Sequence, residues 1–585
     1  MATGYPLPAD ARSQAKQKAQ GFATPQQDTA PQVATFLSKR VLPIIFLPGI
    51  MGSNLRISNA ERQRLLEQAD NKAWRPDDIG ATNAHGFATA TPRIRQLRLD
   101  PSTTEVDIYD PSGVGEVSGD GRHGNVAFED SFASPLLTDD PPTAGPRRRT
   151  AAQKARMRGW GEVFYKSYGG LLQLLESRLN NTFANGKLLP AWNDVVGVDP
   201  AKWLSVSELP QKALTEDELK KVATGCFFPV YAFGYNWLKS NGANAKEIAA
   251  RIKAVIKGFA DGGFDCSKVI VVTHSMGGLL ARALIHPDYG DIEDHVLGMV
   301  HGVQPAIGAA AAYKRIRAGF EDPGMTSELA GSIGSKVAGN FGDEVTAVLA
   351  NAPGGLELLP NQAYGNGWLK VTLDGRRLAE WPMNGDPYAE IYKVKGRWYS
   401  LLREEWINPS GLDPSRGGGT FARTSKYLDQ AKEFHQAICN TYHRCSYAHY
   451  GSDPERLSFG DVVWDISRNC SDTTGWDSWP ILRDPRQGTL DLVKWETGGA
   501  NKAFGHSPGA TTPNPIRATI LSPTERGDQT VPVRSSDHQL RSGKFKGVFR
   551  QAGYEQGSYG DRRALVSTLY SIVRIAQQAQ WKVPQ

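Results

Sequence analysis

Residues 269–281 read VIVVTHSMGGLLA: four β-branched apolar residues lead into Thr273-His274-Ser275-Met276-Gly277-Gly278, and a helix-forming run follows. This order predicts a strand, a sharp turn and a helix, with Ser275 at the apex. A serine hydroxyl is a poor nucleophile until it is held clear of the backbone within reach of a base, and a strained turn at the top of a parallel sheet holds it so. Gly277 and Gly278 allow the incoming strand and the outgoing helix to pass close together. The pattern departs from G-x-S-x-G at its first position, where Thr273 stands.

Far upstream, residues 41–56, VLPIIFLPGIMGSNLR, carry a short apolar strand into Pro48-Gly49-Ile50-Met51-Gly52-Ser53. A turn of small residues exposes backbone N–H groups, the donors that a tetrahedral oxyanion needs. Ile50 or Met51 is the expected donor here, and the N–H of Met276, next after the serine, is expected to be the second donor of the oxyanion hole. A strand-ending Pro-Gly turn has the same appearance in isolation; pairing with the serine turn favours the catalytic reading. Near the other end, an apolar strand at residues 516–521 precedes Gly527-Asp528-Gln529-Thr530-Val531-Pro532. A carboxylate after a late strand can accept the Nδ1–H of a histidine and fix its tautomer, so Asp528 is the expected acid, although Asp beside Gly also marks ordinary turns.

The chain has 585 residues, about 40% of them apolar, with 14 Trp and a net charge of +6. This describes a globular protein, and the modest positive charge permits an anionic membrane surface without demanding nucleic acid, for which no motif appears. The basic run Arg147-Arg148-Arg149 with Lys154, Arg156 and Arg158 reads as a solvated face. Five cysteines (Cys226, Cys266, Cys439, Cys445 and Cys470) are too few and too scattered for a disulfide framework, which fits synthesis in a reducing compartment; a Cys439–Cys445 bridge stays open. The first forty residues lack the apolar centre of a secretory signal, and no run reaches transmembrane length. The expectation is a protein made in the cytoplasm and exported, if at all, by a route independent of a cleavable signal.

Residues 1–38 read as a poorly ordered or loosely docked lead-in. Residues 57–160, rich in Asp, Gly, Pro, Ser and Arg, read as a first insertion. Residues 162–181 have helical apolar spacing, 227–237 form a buried-type strand, and 244–260 place Ile248, Ile252, Val255, Ile256 and Phe259 on one helical stripe. With a further strand at 295–303, this alternation predicts a parallel sheet with right-handed crossovers. The two hundred residues from 306 to 510 cannot be one loop and must pack on their own, so they read as a cap. The expected fold is therefore α/β, with a core formed by 39–56, 161–305 and 511–585.

Four pieces together, Pro48-Gly49-Ile50-Met51-Gly52-Ser53, Tyr231-Ala232-Phe233-Gly234-Tyr235-Asn236-Trp237, the serine turn and the Asp528 turn, resemble the capped α/β-hydrolase lipases. Lecithin:cholesterol acyltransferase-like enzymes and GPI-inositol-deacylase-like hydrolases are the nearest groups. His301-Gly302-Val303-Gln304-Pro305 and residues 348–361, VLANAPGGLELLPN, resemble bacterial type VI secretion lipase effectors of the deacylase-like group. The resemblance implies Ser275 as nucleophile, Asp528 as acid, and N–H groups near Ile50, Met51 and Met276 as oxyanion hole. It also implies membrane phospholipid esters as substrate, a cap over an acyl site, a secretion-machine component and a cognate immunity protein as partners, and delivery into a target cell envelope. This chemistry requires no cofactor or metal.

The base is where the chain departs from that pattern. The family histidine is expected after the last strand, where Gly553-Tyr554-Glu555-Gln556-Gly557-Ser558-Tyr559 has none and Gln556 stands instead. Glutamine cannot take the serine proton near neutral pH. His538 is the one histidine after Asp528 and is taken as the base, with a plain surface histidine as the competing reading. His506 and His443 are alternatives, while His443 and His449 lack zinc spacing with Cys439 and Cys445. Two functions follow: a serine esterase acting on phospholipid, or a catalytically impaired hydrolase-fold binding protein acting through its cap.

Overall fold

The computed structural model describes residues 39–68, 71–78, 89–107, 126, 151–320, 339–412, 419–467, 473–494, 515–551 and 555–582, and three strands within 9–37. Those three strands, Ala9–Asp10, Lys16–Gly21 and Gln32–Leu37, pair as an antiparallel sheet in the segment read as a lead-in.

β1 (Ile44–Leu47) and α1 (Tyr165–Leu179) precede a regular alternation: β2 (Val230–Ala232), α2 (Asn241–Asp261), β3 (Val269–His274), α3 (Gly277–Ile285) and β4 (Val296–Gly302). There follow β5 (Leu369–Leu373), β6 (Arg376–Trp381), α4 (Gly419–Ile438), β7 (Ser446–Gly451), β8 (Val462–Ile466), β9 (Ile481–Arg483) and β10 (Thr489–Leu492). β11 (Ile516–Ile520), β12 (Phe545–Gln551) and α5 (Arg562–Ala576) complete the principal elements.

The central sheet has the order β2-β1-β3-β4-β7-β12, every pairing parallel. Its middle strands are buried on both faces, which is why β1 and the first four residues of β3 read as continuous apolar runs. Ile45, Leu47, Val269 and Val271 pack toward α2 and α3, whereas Ile44, Phe46, Ile270 and Val272 pack toward α1 and α5. The helices commit to these faces through their own patterns. α2 is capped by the Ser240 hydroxyl, which accepts the Ala243 N–H, and it buries Ile248, Ala249 and Ile252. α5 is capped by Asp561 and buries Val566, Leu569, Ile572 and Val573.

A second six-stranded sheet, β6-β5-β8-β11-β10-β9, is mixed, with β5 and β8 parallel and its other pairs antiparallel. Trp464 within β8 and Trp368 just before β5 are fully buried and belong to the same apolar cluster as the α2–α3 face of the core. The inserted region is therefore continuous with the core in its packing.

The boundaries read from sequence shift in three places. β7 lies within 306–510 yet forms the fifth strand of the central sheet, while β11 lies within 511–585 yet joins the second. Ahead of residue 161, Ala155 and Trp160 already pack with α1, and the Trp160 indole donates to the Val230 carbonyl at 2.9 Å. No described helix is long and apolar enough to cross a membrane.

Candidate active site

β3 ends at His274, and Ser275 takes up φ +49°, the left-handed region that non-glycine residues enter under strain. Its N–H donates to the Gly302 carbonyl at 2.8 Å, which pins the turn to the end of β4. A Cβ on Gly277 would lie 2.5 Å from the Leu47 and Pro48 carbonyl oxygens, so the first turn of α3 rests on the end of β1 and only glycine fits. The serine, 3% exposed, thus sits at the carboxyl ends of the strands, where open α/β sheets place their sites.

The turn after β1 lies against it. A Cβ on Gly49 would be 2.8 Å from His274 Nδ1 and 3.1 Å from Ser275 Cβ. Four carbonyls of this turn are already engaged: Pro48 by the Tyr235 hydroxyl at 2.9 Å, Gly49 by the Gly52 N–H at 3.0 Å, Met51 by the Trp74 indole at 2.7 Å, and Gly52 by the Phe164 N–H at 2.9 Å. Met51 itself has φ +62°. Among the described residues no acceptor occurs for the N–H groups of Ile50, Met51 or Met276. Ile50 and Met51 belong to this turn and Met276 to the serine turn that lies against it.

Asp528 is 1% exposed and lies against the end of β7, where a Cβ on Gly451 would come 2.6 Å from Asp528 Cβ. Its Oδ1 accepts the N–H groups of Thr530 at 3.1 Å and Val531 at 2.6 Å, and its own N–H donates to the Ser458 hydroxyl at 3.2 Å. Gln529 adopts φ +71° to close this loop. Since β4 alone separates β3 from β7, serine and carboxylate occupy the same end of the sheet, two strands apart.

His538 is not brought to them. Its Nδ1 pairs with the Tyr442 hydroxyl at 3.1 Å, and the Tyr442 ring packs on Phe545, the first residue of β12, at 5.2 Å. Burial, with Arg282 nearby, pushes this imidazole down to about 4. The reason is topological: after Asp528 at the carboxyl end of β7, the chain must return to the start of another parallel strand. By residue 538 it has turned away from the serine, so the expected base is corrected. His443 also lies before β7, with its Nδ1 accepting the Cys445 N–H at 3.1 Å.

His449, which the sequence reads as packing or a polar cap contact, stands instead at the serine end of the sheet. It sits on β7 opposite Gly302, which pairs in turn with His274, and a Cβ on Gly302 would lie 2.8 Å from its Nε2. Its ring packs edge-on to Tyr559 at 5.0 Å, and burial pushes it down to about 3, so it is neutral at pH 7. The available signal was the alternation Tyr447, His449, Gly451 on one face of SYAHYG. His506 and the Gln556 side chain lie outside the described residues; the backbone at Gln556 forms a turn, Glu555–Gly560, after β12. Cys439 and Cys445 are both free thiols, and among the described residues no group of three His, Cys, Asp or Glu side chains is arranged to hold a metal.

Parallel sheet, serine turn and intervening mixed sheet define the class: an α/β-hydrolase fold with a mostly parallel central sheet and a large inserted cap. The chain is similar to a solved structure described as the crystal structure of the Tle4-Tli4 complex, at 29% sequence identity and a TM-score of 0.69. The similarity covers 92% of this chain and 99% of the matched one. No family model matches the sequence, and no curated protein matches it.

Proposed function

We propose that this protein is a serine-dependent lipase, most specifically a phospholipase, that cleaves carboxylic esters of membrane lipids through an acyl-enzyme. One observation carries the reading: a serine in left-handed backbone at a strand end, in contact with a turn whose Ile50 and Met51 N–H groups have no acceptor among the described residues. The Ser275 hydroxyl attacks the ester carbonyl, a histidine takes its proton, and the oxyanion is stabilised by the N–H groups of Ile50, Met51 and Met276. Asp528 orients the imidazole, which returns its proton to the departing lysolipid alcohol as the ester C–O bond breaks, and then takes a proton from the water that hydrolyses the acyl-enzyme and releases the fatty acid. The base comes from His449, at the serine end of the sheet, or from His506.

Similarity to the Tle4–Tli4 structure across nearly the whole chain supports a lipid-ester hydrolase of the effector type that the sequence motifs resemble. That neighbour is a complex, which supports a cognate protein partner, read here as an immunity protein in the producing cell. Delivery through a secretion machine into a target envelope completes this reading. The test is fatty-acid release from phosphatidylglycerol and phosphatidylethanolamine vesicles: the wild-type chain releases it and Ser275→Ala does not. Release by Ser275→Ala removes the nucleophile.

A second reading, a hydrolase-fold binding protein acting through its cap, is favoured by the absence of histidine from residues 552–560 together with the position of His538. Fluorophosphonate reactivity separates the two, because a site without a base reacts no faster than free serine.

A further inference from the structure

We infer that Tyr168 is a positioning residue that locks the oxyanion turn to the serine turn through its hydroxyl; this rests on the reading of Ser275 as nucleophile. Tyr168 rises from the first turn of α1 and is buried, with its ring against Phe46 at 4.9 Å. Its hydroxyl accepts the Gly49 N–H at 3.3 Å and lies 3.0 Å from His274 Nδ1. A hydroxyl has one proton and two lone pairs, so it can accept from Gly49 and still donate to Nδ1 when the imidazole proton is on Nε2.

The consequence follows from chain adjacency. Gly49 directly precedes Ile50 and Met51, the proposed oxyanion donors, and His274 directly precedes Ser275. One hydroxyl therefore ties together the two backbone segments whose separation sets the distance from Oγ to the oxyanion donors. The junction has no slack: a Cβ on Gly52 would lie 2.9 Å from this hydroxyl, and a Cβ on Gly49 would lie 2.8 Å from His274 Nδ1. The Tyr235 hydroxyl braces the same turn from its other side by donating to the Pro48 carbonyl at 2.9 Å. Without the Tyr168 hydroxyl the Gly49 N–H loses its acceptor, and the turn gains freedom to shift against the serine. A misplacement of about 1 Å costs on the order of 100-fold in rate.

The experiment compares wild type, Tyr168→Phe and Ser275→Ala in ester hydrolysis, fluorophosphonate labelling rate and thermal melting. Tyr168→Phe keeps the ring packing, so kcat and labelling rate are expected to fall by roughly 10- to 100-fold with KM within about threefold. Binding of a trifluoromethyl ketone, which forms a tetrahedral oxyanion adduct, should weaken in parallel, while a non-hydrolysable ether lipid binds as before. Kinetics within about twofold of wild type in folded Tyr168→Phe overturn the inference. So does equal weakening of both ligands, which marks a purely structural role. If Tyr168→Phe does not fold, 3,5-difluorotyrosine at position 168 keeps ring and hydroxyl but makes the oxygen a weaker acceptor. A labelling rate slowed by that replacement supports the lock, and an unchanged rate overturns it. Ester hydrolysis that persists in Ser275→Ala signals failure of the nucleophile reading itself, a result distinct from any seen with Tyr168.

Discussion

The two six-stranded sheets are built on opposite rules. The central one is parallel, its middle strands are buried along their whole length, and its carboxyl ends carry Ser275 and the approach to Asp528. The second is mixed, and β8 alternates buried and half-buried residues while β6 is exposed or half-buried throughout. A sheet covered on both faces can hold strained backbone at its edge, because packing on either side fixes where each strand ends. A half-covered sheet contributes mass and apolar area to the inserted region, and its tryptophans join it to the core. Chemistry should therefore fail when the first sheet is altered at its ends, and folding should fail when the second loses its interior.

Asp528→Asn gives the largest expected effect, a fall of about 10³- to 10⁴-fold in kcat with near-native melting, because the loop geometry survives while, in the proposed mechanism, the imidazole loses its charged partner. Kinetics settle it, and a fall below tenfold would remove the acid. Gly49→Val comes next: its Cβ would meet His274 Nδ1 at 2.8 Å and Ser275 Cβ at 3.1 Å, so a loss on the order of 100-fold is expected in the folded protein. In the second sheet, Trp464→Ala is expected to cost about 3 kcal/mol in denaturant unfolding. If unfolding were unchanged, the packing continuity between the two sheets would be refuted.

The smallest effect is a pH dependence. Glu357 is fully buried in the inserted region, and burial raises it to about 8 despite the Asn241 backbone N–H and side-chain amide, which donate to its Oε2 at 2.8 and 2.7 Å. The folded protein thus holds this proton where the unfolded chain has released it. Its contribution to stability is full below the ordinary glutamate value and is lost as pH rises from there to about 8. Glu357→Gln should flatten the melting temperature across that window and raise it by a few degrees at pH 8. A parallel profile in wild type and variant would contradict the assignment.

The same contrast explains what could be read from the chain. β1 and β3 were legible because burial on both faces leaves an unbroken apolar run, and the Pro48–Ser53 and Ser275 turns because small residues mark close backbone approach. β7 was not: SYAHYG has no β-branched residue and lies inside the long interval that otherwise builds the second sheet. β11 was recognised as a strand, but an apolar pattern does not say which sheet it joins. His538 followed from chain order, which ignores the return path a parallel strand requires. Tyr168 lies in an amphipathic helix beside Tyr165, where spacing predicts packing and cannot reveal a hydroxyl aimed at two turns from distant parts of the chain.

Fluorophosphonate labelling of the folded wild-type chain, read by mass spectrometry of the peptide containing Thr273-His274-Ser275-Met276, tests the central claim most directly. The account predicts a single phosphonylated residue, Ser275, modified far faster than the same protein after denaturation. Labelling elsewhere, or at Ser275 no faster than in the unfolded chain, would contradict it.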